Sequence, residues 1–229
     1  MFSLTMIALL LIALAALSQG AVLRSVPTID NPCQGDTTST GTPVYLPIKD
    51  QIQLTITAAN NADTTSQTFK QALVSMMSVL TESDTNGLDG PLQNVHGLSM
   101  AVGEPAVSAS NNVTSLQQDY QDISTYIMYL QFFKTLQTAT DNGQFTEGID
   151  NVKNQFYAWL CRIDTTLRAQ NKPMTQFVDN SAVNADVKTY ATNGDKKNRY
   201  SLYYVAMKNA HDCIQNKNLK WATFLQTLN

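Results

Sequence analysis

Apolar side chains recur every three or four residues along four stretches of the chain, which is the spacing of one face of an α-helix. This pattern predicts helices over residues 47–80, 112–140, 145–171 and 196–228. A polar gap at residues 60–68 contains poor helix formers and predicts a kink or a frayed turn in the first helix. No stretch alternates with a period of two for long enough to predict a strand. The pattern is that of an all-α protein.

The lengths of the connections predict how the four helices are arranged. About 30 residues join the first two helices, about four join the second to the third, and about 24 join the third to the fourth. A four-residue link makes neighbouring helices antiparallel, whereas a long link lets the chain return along a bundle and start again in the same direction. Three connections that are long, short and long in chain order therefore predict an up-up-down-down four-helix bundle with two long crossover loops.

The N-terminal residues have the pattern of a secretory signal. Residues 1–20 carry no charged side chain and contain an apolar run of about 12 residues, which is the length of a signal-peptide core. We expect residues 1–20 to be a signal peptide, residues 21–46 a flexible tail and residues 47–229 the bundle. No other apolar run approaches the roughly 18 residues of a membrane helix, so we expect a secreted, extracellular protein without membrane insertion.

Composition argues against nucleic-acid binding. The net charge is −3 and the isoelectric point about 5.2, with no basic run longer than two residues. Affinity for nucleic acid comes largely from clustered Lys and Arg, which this chain lacks. We therefore expect no nucleic-acid partner.

No motif indicates catalysis, a cofactor or a metal site. The two histidines, His96 and His211, have no further ligands at metal-binding spacing. Ser99 lies in a sequence close to a nucleophile elbow, but that elbow needs a parallel sheet. Asp119 and Asp122 share a helix face and are interpreted as solvated charges. We expect a protein that is not an enzyme.

Three cysteines allow one intrachain disulfide. Cys33 lies in the predicted tail, while Cys161 and Cys213 lie in predicted helices. A Cys33–Cys161 bond would tether the tail to the bundle. Cys213 would then be a small buried residue or the partner of a second molecule.

Two further features concern the surface. Asn112 begins the only glycosylation sequon, at the start of the second helix, so we expect it to be exposed enough for modification. Trp159 lies off the apolar stripe of its helix, so two interpretations remain, a core position and a place on a protein-binding surface.

Several segments resemble a known cytokine branch. The tail sequence Asn-Pro-Cys, followed by Ile48-Lys49-Asp50-Gln51-Ile52, resembles the cysteine-bearing tail and first helix of the leukaemia inhibitory factor and ciliary neurotrophic factor branch of the interleukin-6 family. Leu160-Cys161-Arg162 resembles that branch's third helix, and Tyr190 to Lys197 resembles the approach to its fourth. The resemblance implies a long-chain four-helix cytokine and a disulfide between Cys33 and Cys161.

The resemblance also implies where receptors would bind. One surface would lie on the first and third helices, and another at the start of the fourth helix with parts of the crossover loops. The Phe-x-x-Lys pair that such cytokines carry at the second surface is not found here. Its neighbourhood holds other candidates, namely Lys196, Lys197, Arg199 and Tyr200.

These observations favour a secreted, monomeric cytokine that binds and assembles class I cytokine receptors at the cell surface, a shared signal-transducing chain and a second receptor. The main alternative is a secreted helical carrier of lipid or small hydrophobic ligands. A secreted structural protein without a receptor and a secreted hydrolase using Ser99 are further alternatives.

Overall fold

The computed structural model describes residue 33 and residues 44–81, 92–174 and 177–228. Within these residues the chain is all-helical, without a strand, and the four long helices begin and end within two residues of the predicted bounds. The predicted signal peptide and most of the predicted tail lie outside the described residues. The five α-helices are α1 (Ile48–Thr81), α2 (Asn112–Thr140), α3 (Thr146–Ala169), α4 (Ala185–Asn193) and α5 (Lys196–Thr227).

Helix α1 continues unbroken through residues 60–68, so the predicted fraying there is wrong. Tertiary contacts supply what the local sequence lacks. The Asp63 carboxylate binds His211 Nδ1 at 2.8 Å, and Asn218 Nδ2 donates to Asn60 Oδ1 at 2.8 Å. These partners lie on α5, and such contacts routinely override weak helix propensity.

Helix α4 was not predicted, because nine residues are too few to establish a period within a segment read as a connection. Asn184 caps it by accepting a hydrogen bond from Asp186 N at 2.8 Å. Val187 and Ala191 face the core. Asp195 caps the next helix, α5, in the same way, by accepting from Asn198 N.

The long helices pack side by side in three main pairs: α1 with α3, α1 with α5, and α2 with α3. The backbones of α2 and α5 approach each other at few positions, and large side chains fill the space between them. Phe133 and Tyr203, one from each helix, have ring centroids 4.6 Å apart.

Helix α2 is covered on nearly all sides in its middle, where five consecutive residues from Tyr126 to Leu130 are buried. Helix α3 and the segment after residue 92 cover the faces that α5 leaves open; Val95, Leu98 and Ala101 of this segment are buried. A single apolar stripe was predicted for α2, so the extent of its burial is a structural finding.

Cys33 and Cys161 form a disulfide, the pairing that the sequence favours, across a sequence separation of 128 residues. Cys213 is free and buried, as expected of a small apolar residue. Burial also raises the pKa of its thiol, which keeps the thiol protonated. A second molecule cannot reach this sulfur without opening the core.

None of the described helices combines the length and apolar character needed to cross a membrane.

The disulfide closes a long loop, so its loss should act mainly on the unfolded chain. We expect Cys33→Ser to lower the free energy of unfolding by about 4 kcal/mol while the helical circular dichroism signal is retained. Thermal and chemical denaturation followed by circular dichroism would measure both quantities. Adding a reductant should lower the stability of the wild type to that of Cys33→Ser and leave the variant unchanged. Equal stability of the oxidised wild type and the variant would contradict the expectation.

Candidate functional site

The most unusual polar site in the described part of the chain is a fully buried lysine, Lys217, on α5. Its ammonium donates to three carboxylates: Asp119 Oδ1 at 2.7 Å, Asp122 Oδ2 at 2.7 Å and Glu104 Oε1 at 2.9 Å. The Lys217 side chain is 0% exposed. All three ammonium protons have an acceptor, which is what burial of a charge requires.

The neighbouring side chains complete this group, which we call the Lys217 cluster. Lys220 donates to Glu104 and Asp119, and Trp221 Nε1 donates to Asp119 Oδ2 at 2.6 Å. Two cations thus face three carboxylates contributed by α2 and by the segment before it. The cluster joins three parts of the chain at one buried point.

The electrostatics of the cluster favour the charged forms of Lys217 and Glu104. Burial alone would lower the pKa of Lys217, but the charges of Asp119 and Asp122 outweigh it and raise the pKa above the usual range of lysine. Burial alone would likewise raise the pKa of Glu104, but hydrogen bonds and charges from Lys220 and Lys217 lower it. Lys217 and Glu104 are therefore held charged by their partners.

The three carboxylates have oxygens within 4.8 Å of one another, which is close enough to share a cation. The Lys217 ammonium already occupies the position between them, with bonds of 2.7–2.9 Å to all three. A metal ion would have to displace a lysine whose side chain is fully buried. The arrangement therefore serves to fix helices.

The interpretation of Asp119 and Asp122 as solvated charges is wrong, because they are 1% and 9% exposed. A signal was present in the sequence. Lys217 stands between Ile214 and Trp221, where the apolar stripe of α5 requires an apolar residue. A lysine at a core position implies a buried carboxylate partner.

The start of α5 separates the candidate receptor residues into two groups. Lys197 is exposed, and Lys196 is half-buried with its ammonium 5.4 Å from the Tyr200 ring centroid. Arg199 is buried and pairs with the Asp141 carboxylate, with Nε 2.8 Å from Oδ2. This ion pair joins the start of α5 to the end of α2.

Three of the candidate receptor residues require correction. Tyr200 is 0% and Trp159 2% exposed, and Arg199 is occupied by Asp141. Trp159 packs edge-to-face on Phe156 at 5.9 Å. All three side chains are buried, and their apolar or charged groups already have partners in the core. Lys196 and Lys197 therefore remain as the surface candidates.

A second surface, which we call the α1–α3 recess, lies beside the disulfide. It has a volume of about 110 Å³ and is lined by residues from the start of α1, the segment before it and the end of α3. Apolar side chains on its rim are unusually open, with Val44 98%, Leu46 54% and Leu54 37% exposed. Exposed apolar residues gathered at a recess are typical of a protein-binding site.

Two polar groups, Arg162 and Gln51, line the α1–α3 recess. Arg162 is exposed and pairs with no carboxylate of the described residues. Gln51 is 6% exposed; its Nε2 donates to Leu46 O, while its Oε1 has no hydrogen-bond partner in the part of the chain that the structure describes. The recess therefore offers an exposed cation beside apolar surface, whereas the unpaired Gln51 acceptor is buried beneath it.

The remaining sequence candidates are dispersed. Asn112 is half-buried at the start of α2, so its glycosylation stays a prediction. His211 binds Asp63, and His96 is exposed. Ser99 Oγ accepts from Ala101 N at 3.1 Å and binds no histidine of the described residues.

Removing the buried ammonium of Lys217 should lower the free energy of unfolding. Lys217→Met leaves three carboxylates facing one another, so we expect a loss of about 3–5 kcal/mol in the free energy of unfolding. Lys134→Met is the matched control, because Lys134 pairs with Asp150 at a site where both side chains are about one-third exposed. Its loss should be at most about 1 kcal/mol in urea denaturation. Equal losses for the two variants would contradict the role of the Lys217 cluster.

Glu104 should make the free energy of unfolding depend on pH in the acidic range. Its pKa is lower in the folded than in the unfolded chain, so its contribution is present above about pH 4.3 and is lost as the pH falls through the folded value. We expect the stability difference between the wild type and Glu104→Gln to shrink between pH 6 and pH 3. Urea denaturation across this range would measure it, with the exposed Glu147→Gln as the charge-matched control. A constant difference would disprove the linkage.

No protein-family model, curated protein or solved structure matches this chain.

Proposed function

We propose that the chain is a secreted four-helix cytokine, similar to the interleukin-6 family, that binds two cell-surface receptors through separate surfaces. The observation that carries the proposal is the direction in which the helices meet. An up-up-down-down bundle with two long crossover connections is the arrangement of long-chain cytokines, and the contacts between helices support it.

Contacts of α2 support an antiparallel relation to both of its neighbours. On α5, Lys217 meets Asp119 near the start of α2, whereas Arg199 meets Asp141 just beyond its end. On α3, Tyr126 packs on Phe156 at 5.4 Å and Lys134 pairs with Asp150. In both comparisons the residue number rises along one helix as it falls along the other.

Contacts of α1 support the same relation to α3 and α5. The start of α1 shares the α1–α3 recess with the end of α3, and Phe69 lies against Gly148 near the start of α3. On α5, Asp63 binds His211 and Asn60 binds Asn218. If α1 and α2 each oppose α3 and α5, then α1 is parallel to α2, and α3 is parallel to α5.

In this arrangement the two proposed receptor surfaces lie at opposite ends of the bundle. The α1–α3 recess is at the end where α1 starts, and Lys196 and Lys197 are at the other end, where α5 starts. The distance between them lets two receptor chains bind without contacting each other at the cytokine. The exposed side chains of Arg162 and Leu54 suit a receptor that presents an acidic side chain beside an apolar one.

Secretion is part of the proposal, and the Cys33–Cys161 disulfide supports it because such bonds persist in oxidising compartments. The alternative of a lipid carrier needs an internal cavity for its ligand. Aromatic rings fill the space between α2 and α5, with Phe145 4.9 Å from Tyr200 in addition to the Phe133–Tyr203 pair. This packing favours the receptor ligand over the carrier.

The proposal predicts that the two surfaces can be disabled independently. Arg162→Glu should weaken binding of the full-length secreted protein to one class I cytokine receptor ectodomain at least tenfold, since it replaces a cation by an anion. The double variant Lys196→Glu/Lys197→Glu should weaken binding to a different ectodomain. Surface plasmon resonance against a panel of such ectodomains would measure both effects.

Lys70→Glu is the matched control, because Lys70 lies on α1, does not line the α1–α3 recess and is not on α5, and the substitution makes the same charge change. Each receptor-binding variant should keep the wild-type melting temperature. Binding of the wild type to no ectodomain of the panel, or equal binding by all variants, would overturn the proposal.

A further inference from the structure

Two connecting segments contact side chains of α2. The first, residues 94–104, is called the strap; the second connection is residues 177–195. Side chains of α2 and α5 hold the strap through its backbone. Tyr126 hydroxyl donates to Ser99 O at 2.6 Å, Asn209 Oδ1 accepts from Val95 N at 2.9 Å, and Asn216 Nδ2 donates to Met100 O at 2.9 Å.

The second connection contains α4 and leads directly into α5. Val183, Val187 and Ala191 anchor it in the core. Its last residues form part of the start of α5, because Gly194 O accepts from Arg199 Nη1 at 2.7 Å and Asp195 caps the helix. The position of this connection therefore bears on the position of the first turn of α5.

One hydroxyl group touches both segments. Tyr129 of α2 donates its hydroxyl proton to His96 O of the strap at 2.5 Å, and the same oxygen accepts from Asn184 N of the second connection at 3.0 Å. The Tyr129 side chain is 1% exposed. Gly97 fits beside it with φ +94°, and a side chain there would collide with the hydroxyl.

We propose that the Tyr129 hydroxyl couples the strap to the second connection, so that local opening of one promotes opening of the other. The chain of bonds runs from Asn184 N–H to the Tyr129 oxygen and from the Tyr129 O–H to His96 O. A hydroxyl that donates a hydrogen bond is a better acceptor, so each bond strengthens the other. When the strap leaves, the bond to Asn184 weakens.

This coupling gives the proposed receptor ligand a regulatory route. A partner that fixes or displaces the strap would change the order of the second connection and hence of the turn that carries Lys196 and Lys197. This last consequence rests on the proposed function, whereas the coupling itself is a property of the folded chain and is tested without a receptor.

Native-state amide hydrogen exchange of the full secreted chain tests the coupling. Leu98 N and Ala101 N report on the strap, and Lys188 N and Gly194 N on the second connection; none of these amides bonds to a tyrosine hydroxyl. Tyr126→Phe removes the hydrogen bond to Ser99 O of the strap and a contact with the Cys213 thiol of α5, and touches no group of the second connection that the structure describes. We expect exchange to rise by roughly tenfold in the strap, and by at least about twofold in the second connection, as loss of one buried hydrogen bond predicts.

The matched variant is Tyr129→Phe, which keeps the ring and removes the shared hydroxyl. It should raise exchange in both segments, and adding Tyr126→Phe to it should then raise exchange in the strap alone. Unchanged exchange at Lys188 and Gly194 in Tyr126→Phe would overturn the proposal, whether or not Tyr129→Phe folds. A rise at Lys188 and Gly194 when Tyr126→Phe is added to the Tyr129→Phe background would also overturn the proposal, because the coupling would then pass through packing and not through the hydroxyl. Amides of α3 monitor global unfolding.

Discussion

The ammonium of Lys217, buried among three carboxylates, is the interaction on which the relative positions of α2, α5 and the strap depend. The backbones of α2 and α5 make few close approaches, so side chains fix how the two helices face each other. Any shift of register would leave buried charges of Lys217, Asp119 or Asp122 without partners, and unpaired buried ions cost several kcal/mol each. A cluster of this kind selects one arrangement among many that an apolar interface would tolerate.

At the other end of α5, the Arg199–Asp141 pair performs the same task. Between these two ionic anchors the interface is aromatic, with Phe133, Tyr203 and Tyr200 in sequence along the core. The strap then closes over α2, held at Glu104 by the Lys217 cluster and at His96 by Tyr129. The ion pairs fix the register of α5 against α2. Aromatic rings fill the space between these two helices, and hydrogen bonds hold the strap over α2.

Sequence patterning predicted the four long helices because a 3.6-residue period persists over many turns in each. It failed where the determinant was not periodic. The polar residues 60–68 are helical because Asn60 and Asp63 find partners on α5, and α4 is too short to show a period. The apolar stripe of α5 indicates that Lys217 is buried, but identifying Asp119 as its buried partner requires knowledge of which helices pair. Trp159 could not be assigned to surface or core from its own helix, because a neighbouring helix decides the burial of a side chain beside the main stripe, whereas Tyr200 lies on the apolar stripe of α5 and is buried accordingly.

The proposed function depends on α1 being parallel to α2, since that relation places the α1–α3 recess and the Lys196–Lys197 surface at opposite ends. Spin-label distances test it most directly, with labels at three exposed positions: Gln53 on α1, and Thr114 and Ala139 at the two ends of α2. Because the 25 residues from Thr114 to Ala139 rise by about 38 Å, the two distances from Gln53 should differ clearly. If α1 and α2 are parallel, Gln53 should lie much nearer to Thr114 than to Ala139. The reverse order would make α1 and α2 antiparallel and would contradict both the proposed bundle and the receptor function built on it.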